Sequence, residues 1–226
     1  HLCPLGIAAN VIQAAFCRLD TVLVMFGFLY YTYSNMKDAD DITGCTAILE
    51  SLEKRWLKMD QEVFIAAVIL NPVYQLKPFS RIQYLNVASI IGLMTCLYIC
   101  FEQKPPPDKF IMDLKDYLAK VKSFNNIDLM VNSEMNTAEN ENQILDPLTI
   151  LMTYGFPGHP DMPFIAFAKH ILSISANSAS CECLFSLLRN LLTKLQNHLD
   201  LKTLTNLAEA KMHIHNEHLQ SGKAKS

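Results

Sequence analysis

Two stretches of this sequence are too apolar to lie in water and too short to cross a membrane. They are residues 21–33 (TVLVMFGFLYYTY) and residues 87–101 (VASIIGLMTCLYICF). A bilayer span needs about 18 to 20 consecutive apolar residues, so both read as helices buried inside a protein. With 226 residues and 50% of them hydrophobic, the chain can fill a sizeable core without disulfide or metal staples.

The rest of the N-terminal half continues the helical pattern. Over residues 1–34 the apolar positions Val11, Ala15, Leu19, Val22, Met25 and Phe26 recur at three- and four-residue spacing, as one helical face would place them. Residues 35–41 break the pattern. Their cluster Asp38, Asp40 and Asp41 matches no cation-binding loop and reads as a solvated loop ending in a helix cap. From Thr46 onward Ile48, Leu49, Leu52 and Trp56 form one stripe, with Glu50, Glu53, Lys54 and Arg55 mostly on other faces. Residues 61–70 are almost wholly apolar and stop at Asn71-Pro72, because proline disfavours helical geometry in the residue before it.

A helix is expected over residues 81–101, carrying Cys96 and Cys100 one turn apart. That spacing suits a soft metal, but with only Leu, Ile and Tyr around it the pair reads as buried thiols. The run QKPPP at 103–107 is a hard stop, followed by a short helix over 108–123. Residues 125–143 are poor in aromatics and rich in Asn and Glu, a composition that buries too little apolar area to offset its ordering entropy. They predict a flexible linker over 124–145, between a helical region at 1–123 and a C-terminal region at 146–226.

A net charge of −3 argues against a chain that wraps nucleic acid over its whole surface, which needs clustered Lys and Arg against phosphates. Seven scattered cysteines, an odd number, do not form a disulfide framework and point to a reducing, intracellular compartment. No basic segment followed by an apolar stretch and a small-residue cleavage site opens the chain. It begins at His1, the expectation for a fragment or an incomplete gene model.

In the C-terminal region, residues 163–174 place Phe164, Phe167, Ala168 and Ile171 on one helical face. Small polar residues at 175–180 interrupt it, and Ser178 is placed to cap a helix over 179–196. That helix carries Leu184, Phe185, Leu188, Leu191, Leu192 and Leu195, a face too broad to be left in water. A third helix is expected over 201–219, with Asp200 as cap and Leu204, Leu207, Ala208 and Met212 on its inner stripe.

Here ILSISANSASCECLFSLLRNLLTKLQNHL (171–199) and TLTNLAEAKMHIHNEH (203–218) resemble the C-terminal dimerisation region of hAT-superfamily transposases, in the form typical of fungal genomes. The stretch LEKRWLKMDQEVFIAAVILNPVYQLKPF (52–79) is similar to the helical insertion region of the same proteins. The resemblance implies a mainly α chain: an insertion-type helical region followed by the C-terminal helices of an RNase H-like core. It implies a nuclear protein whose partners are itself or related transposase subunits. By that match Glu182 is the vestigial last member of a metal-binding carboxylate triad, and Leu184, Phe185, Leu188, Leu191, Leu192, Leu204 and Met212 form the dimer interface.

Two-metal phosphoryl transfer needs several carboxylates around Mg2+ or Mn2+, and the family's other acidic residues would lie upstream of His1. Where the family's pattern has arginine, this chain has Cys183, Gln196 and His198, and neither a thiol nor an amide reproduces the guanidinium fork; Arg189 and Lys194 remain of that basic face. The expectation is a dimerisation module without catalysis, DNA binding, cofactor or membrane association. The alternative is the C-terminal part of an active transposase whose remaining carboxylates lie upstream. Within the chain alone, Glu182 also fits an acidic residue in a helix's first turn, favoured by the helix dipole. Cys181 and Cys183 with His213, His215 and His218 do not have the spacing of a zinc site.

Overall fold

The computed structural model describes residues 2–14, 17–36, 42–155, 158–177 and 202. Among them the chain forms nine α-helices: α1 (Cys3–Ile12), α2 (Leu19–Asn35), α3 (Ile42–Trp56), α4 (Gln61–Leu70), α5 (Val87–Glu102), α6 (Asp108–Ala119), α7 (Ile127–Asn140), α8 (Pro147–Met152) and α9 (Pro163–Leu172). Strand pairing among these residues is limited to one isolated antiparallel bridge between Arg18 and Ser175, so the mainly α expectation holds. The chain divides into two compact units, one of residues 1–12 and 16–176, the other of residues 13–15 and 177–226. Of the second unit little is described; within it the Asn177 side-chain amide donates to the Ala14 carbonyl at 3.2 Å.

The core of the first unit is built around α4 and α9. In α4, Ala66, Ala67, Ile69 and Leu70 have no exposed surface, and the two alanines let neighbouring helices approach closely. α9 supplies Phe164 and Phe167, which join a continuous set of rings. Phe167 meets Tyr98 at 5.6 Å and Phe110 at 5.4 Å, and Phe164 meets Tyr117 at 5.1 Å and Phe124 at 5.8 Å. Phe124 in turn lies 5.0 Å from Tyr154. Such pairs add about 0.5–1.5 kcal/mol each beyond the area they bury. A smaller cluster of Ala8, Leu29, Tyr33, Cys45 and Leu52 joins α1, α2 and α3.

The helix ends follow local chemistry. α4 ends at Leu70, where Pro72 was expected to stop it. Its last carbonyls lack helical partners, and the buried Tyr117 hydroxyl reaches those of Ile69 and Leu70 at 3.2 and 3.1 Å. α5 starts at Val87 and not at 81, because the Asn86 side chain accepts from the Ser89 N–H at 3.0 Å and caps it there. α6 stops at Ala119, with Lys120 in the left-handed region at φ 54°, the usual helix-ending conformation.

Further expectations are corrected. The pattern read as one helix over residues 1–34 is two: the backbone at Arg18 is extended and pairs with Ser175, while the Cys17 carbonyl accepts from the Ala176 N–H at 2.8 Å. The segment expected as a flexible linker, 124–145, is mostly α7. Its few apolar residues are concentrated at one end, where Phe124, Ile127 and Val131 are buried. α8 and α9, expected in a separate C-terminal region, therefore belong to the same unit as α4 and α6 and pack against it. Cys96 and Cys100 are exposed and not a buried pair, because Ile90, Met94, Leu97 and Tyr98 turn the opposite face of α5 to the core.

Candidate functional site

The residues singled out for dimerisation and catalysis, Glu182, Leu184, Phe185, Leu188, Leu191, Leu192, Leu204 and Met212, lie outside the described residues. So do Cys181, Cys183, His213, His215, His218 and the acidic cluster Asp38, Asp40 and Asp41.

The first unit carries a groove of about 690 Å³ walled by α2, α3 and the segment 79–85. α2 contributes Phe26, Tyr30 and Tyr31, α3 contributes Leu52 and Trp56, and Phe79 and Tyr84 close one side. Trp56 is held from two directions, by Phe26 at 6.2 Å and by Phe64 edge-on at 6.4 Å. Tyr31 is 72% exposed and Tyr84 79% exposed. Large rigid rings with hydroxyls toward water are the side chains that dominate protein–protein contacts. The Phe26 and Trp56 positions belonged to the apolar stripes read from the sequence. The apolar run 21–33 predicts a buried helix that includes Tyr30 and Tyr31; the signal against burial of these two is the pair of phenols itself, which need a polar outlet.

A second hollow, of about 540 Å³, is bordered by Ser123, Tyr154, His159, Asp161 and Met162. Asp161 accepts from the Lys169 ammonium at 2.8 Å, and a Cβ on Gly155 would fall 2.9 Å from Asp161 Oδ1, so a larger residue there would push the carboxylate aside. Burial pushes the Tyr154 hydroxyl above the tyrosine range.

Beneath α2 lies a buried polar knot that periodicity did not reveal. Asp20, 1% exposed, accepts from Arg18 Nε at 3.2 Å and from the Asn71 amide at 2.7 Å. Asn71 Oδ1 accepts from the Val73 N–H at 2.9 Å, which fixes the turn after α4. The charge of Asp20 adds to burial in raising the Tyr74 hydroxyl and the Cys17 thiol. Both carboxylate oxygens of Asp20 thus have a partner, and the knot is a structural clamp. The signal in the sequence was an Asp at the head of an apolar run.

Among the described residues no three of His, Cys, Asp and Glu stand together as a metal-ligand group, and no helix is long and apolar enough to cross a membrane. No family model, curated protein or solved structure matches the chain.

Proposed function

We propose that this chain is a protein-association module of an hAT-type transposase, pairing with itself or with related transposase subunits in the nucleus and performing no DNA cleavage by itself. The observation that carries the reading is the sequence of 171–218. It combines the small-residue motif around Glu182 with a leucine-rich run whose spacing predicts a helix with more apolar surface than one hairpin can cover. An RNase H-like core closed by these helices is part of the same proposal. The aromatic groove on α2 and α3 is further support, since its exposed Tyr30, Tyr31 and Tyr84 are contact-forming side chains. A single acidic residue in the motif, Glu182, cannot hold two divalent ions alone, so Mg2+ or Mn2+ belongs only to an intact transposase.

The test is sedimentation equilibrium or light scattering of the full chain at micromolar concentration. A dimer is expected; a stable monomer would refute the reading.

A further inference from the structure

We infer that Cys96 and Cys100 form half of a tetrathiolate site for a thiophilic divalent cation, Zn2+ being the best geometric fit, completed by the same two residues of a second copy of this chain. Both thiols are free and exposed on α5. Residues four apart on a helix have Cβ atoms about 5–6 Å apart. A disulfide needs them at about 3.5–4.5 Å, so oxidation within the helix would require it to unwind. A shared Zn2+ needs only that the two sulfurs stand about 3.8 Å apart, which follows from tetrahedral bonds of about 2.3 Å, and rotation about χ1 provides that. Two thiolates fill half of a closed tetrahedral site, and no other His, Cys, Asp or Glu among the described residues joins them to make a third ligand.

The surroundings favour a second α5 as the source of the other half. Apart from Glu102 at its C-terminal end, α5 contains no Asp, Glu, Lys or Arg, so two such faces meet with little charge to bury. Between the exposed Val87 and Phe101 at its two ends, the exposed residues of α5 are Ala88, Ser89, Gly92, Cys96, Ile99 and Cys100, mostly small. A Cβ at Gly92 would touch nothing within 4 Å, so the backbone there is open to close approach. A two-fold axis passing beside the Cys96–Cys100 turn brings four sulfurs to one point. Four thiols and one Zn2+ give a Zn(S-Cys)4 centre of net charge −2 and release four protons, so binding strengthens as pH rises. This pairing stands apart from the association assigned to 171–218.

The experiment uses the full reduced chain titrated with Co2+, a spectroscopic stand-in for Zn2+. The expected result is an endpoint at one metal per two chains, with the visible bands of tetrahedral Co2+ and the sulfur-to-metal charge-transfer intensity of four thiolates. Cys96→Ser with Cys100→Ser should abolish the spectrum, with circular dichroism unchanged since both side chains are exposed. Cys181→Ser with Cys183→Ser should leave it intact. In a Leu188→Glu chain, which removes the C-terminal association, Zn2+ should still double the mass seen by light scattering, and adding Gly92→Leu should prevent the doubling. An endpoint of one metal per chain, a spectrum that survives loss of Cys96 and Cys100 or needs Cys181 and Cys183, or a mass unaltered by Zn2+ would overturn the inference.

Discussion

Asn71 and Asp20, 51 positions apart in sequence, are joined by a 2.7 Å hydrogen bond between two side chains that are 2% and 1% exposed. The bond fastens the start of α2 to the end of α4. Replacing Asn71 by Leu leaves a buried carboxylate with Arg18 as its remaining partner and deprives the Val73 N–H of its acceptor. A loss of about 2–4 kcal/mol is expected, measured as a lowered urea midpoint. An unchanged midpoint would mean that water replaces the amide.

Tyr117→Phe removes only the hydroxyl that serves the Ile69 and Leu70 carbonyls and should cost about 1–2 kcal/mol. Phe164→Ala empties the centre of the ring cluster and should cost about 3–5 kcal/mol. The order of the two unfolding midpoints checks where the core is centred.

Asp113 has its pKa raised above the usual 3.8, burial being the main cause and Asp116 adding to it, against Lys109 and Lys122. A carboxyl with a raised folded-state pKa holds its proton more tightly when folded. Its contribution is therefore fully present below pH 3.8 and is lost as pH rises through the folded-state value. Asp113→Asn should accordingly stabilise the chain at neutral pH and flatten the dependence of stability on pH just above 3.8. Thermal unfolding across the acid range reads this directly; an Asn variant that is less stable at pH 7 would contradict it.

In the groove, Tyr31→Ser should change stability by no more than about 0.5 kcal/mol, since the ring is mostly in water. Trp56→Ala removes a ring packed on Phe26 and Phe64 and should cost several times as much. Denaturant titration of the two variants side by side separates a contact surface from its scaffold.

For the C-terminal association, Leu188→Glu should cost on the order of several kcal/mol of pairing energy, because a carboxylate at the centre of an apolar interface loses its hydration without gaining a partner. Monomers with undiminished helix content are the expected outcome. Incubation of the chain with transposon-end DNA and Mg2+ or Mn2+ should give no more product than its Glu182→Ala variant.

What could be read in advance followed a physical divide. Helices whose signal is local were legible: α4 stops before Pro72, and α9 buries the face of Phe164, Phe167, Ala168 and Ile171 that its spacing defined. Features decided by distant partners were not. Ser175 and Ala176 break the first helix near Arg18 from more than 150 positions away. α7 is anchored by three apolar residues that average composition had diluted. Cys96 and Cys100 looked buried because their neighbours are apolar, whereas helical geometry turns those neighbours inward and the thiols outward. Of the candidate site, Phe26 and Trp56 were visible as stripe positions. The groove they share with Phe79 and Tyr84 depends on the path of a turn segment, which has no periodicity to read.

The position of α9 at the centre of the ring cluster has a consequence for synthesis. Phe164 and Phe167 come late in the chain, yet Tyr98, Phe110, Tyr117 and Phe124 all lean on one or the other. Contacts that wait on a distant segment form late, and exposed apolar surface in a growing chain invites aggregation. A nascent chain that has not yet released Pro163–Leu172 from the ribosome carries its aromatic residues without their keystone, so a stop codon before Pro163 should yield a product cleared by proteases and not a smaller folded protein.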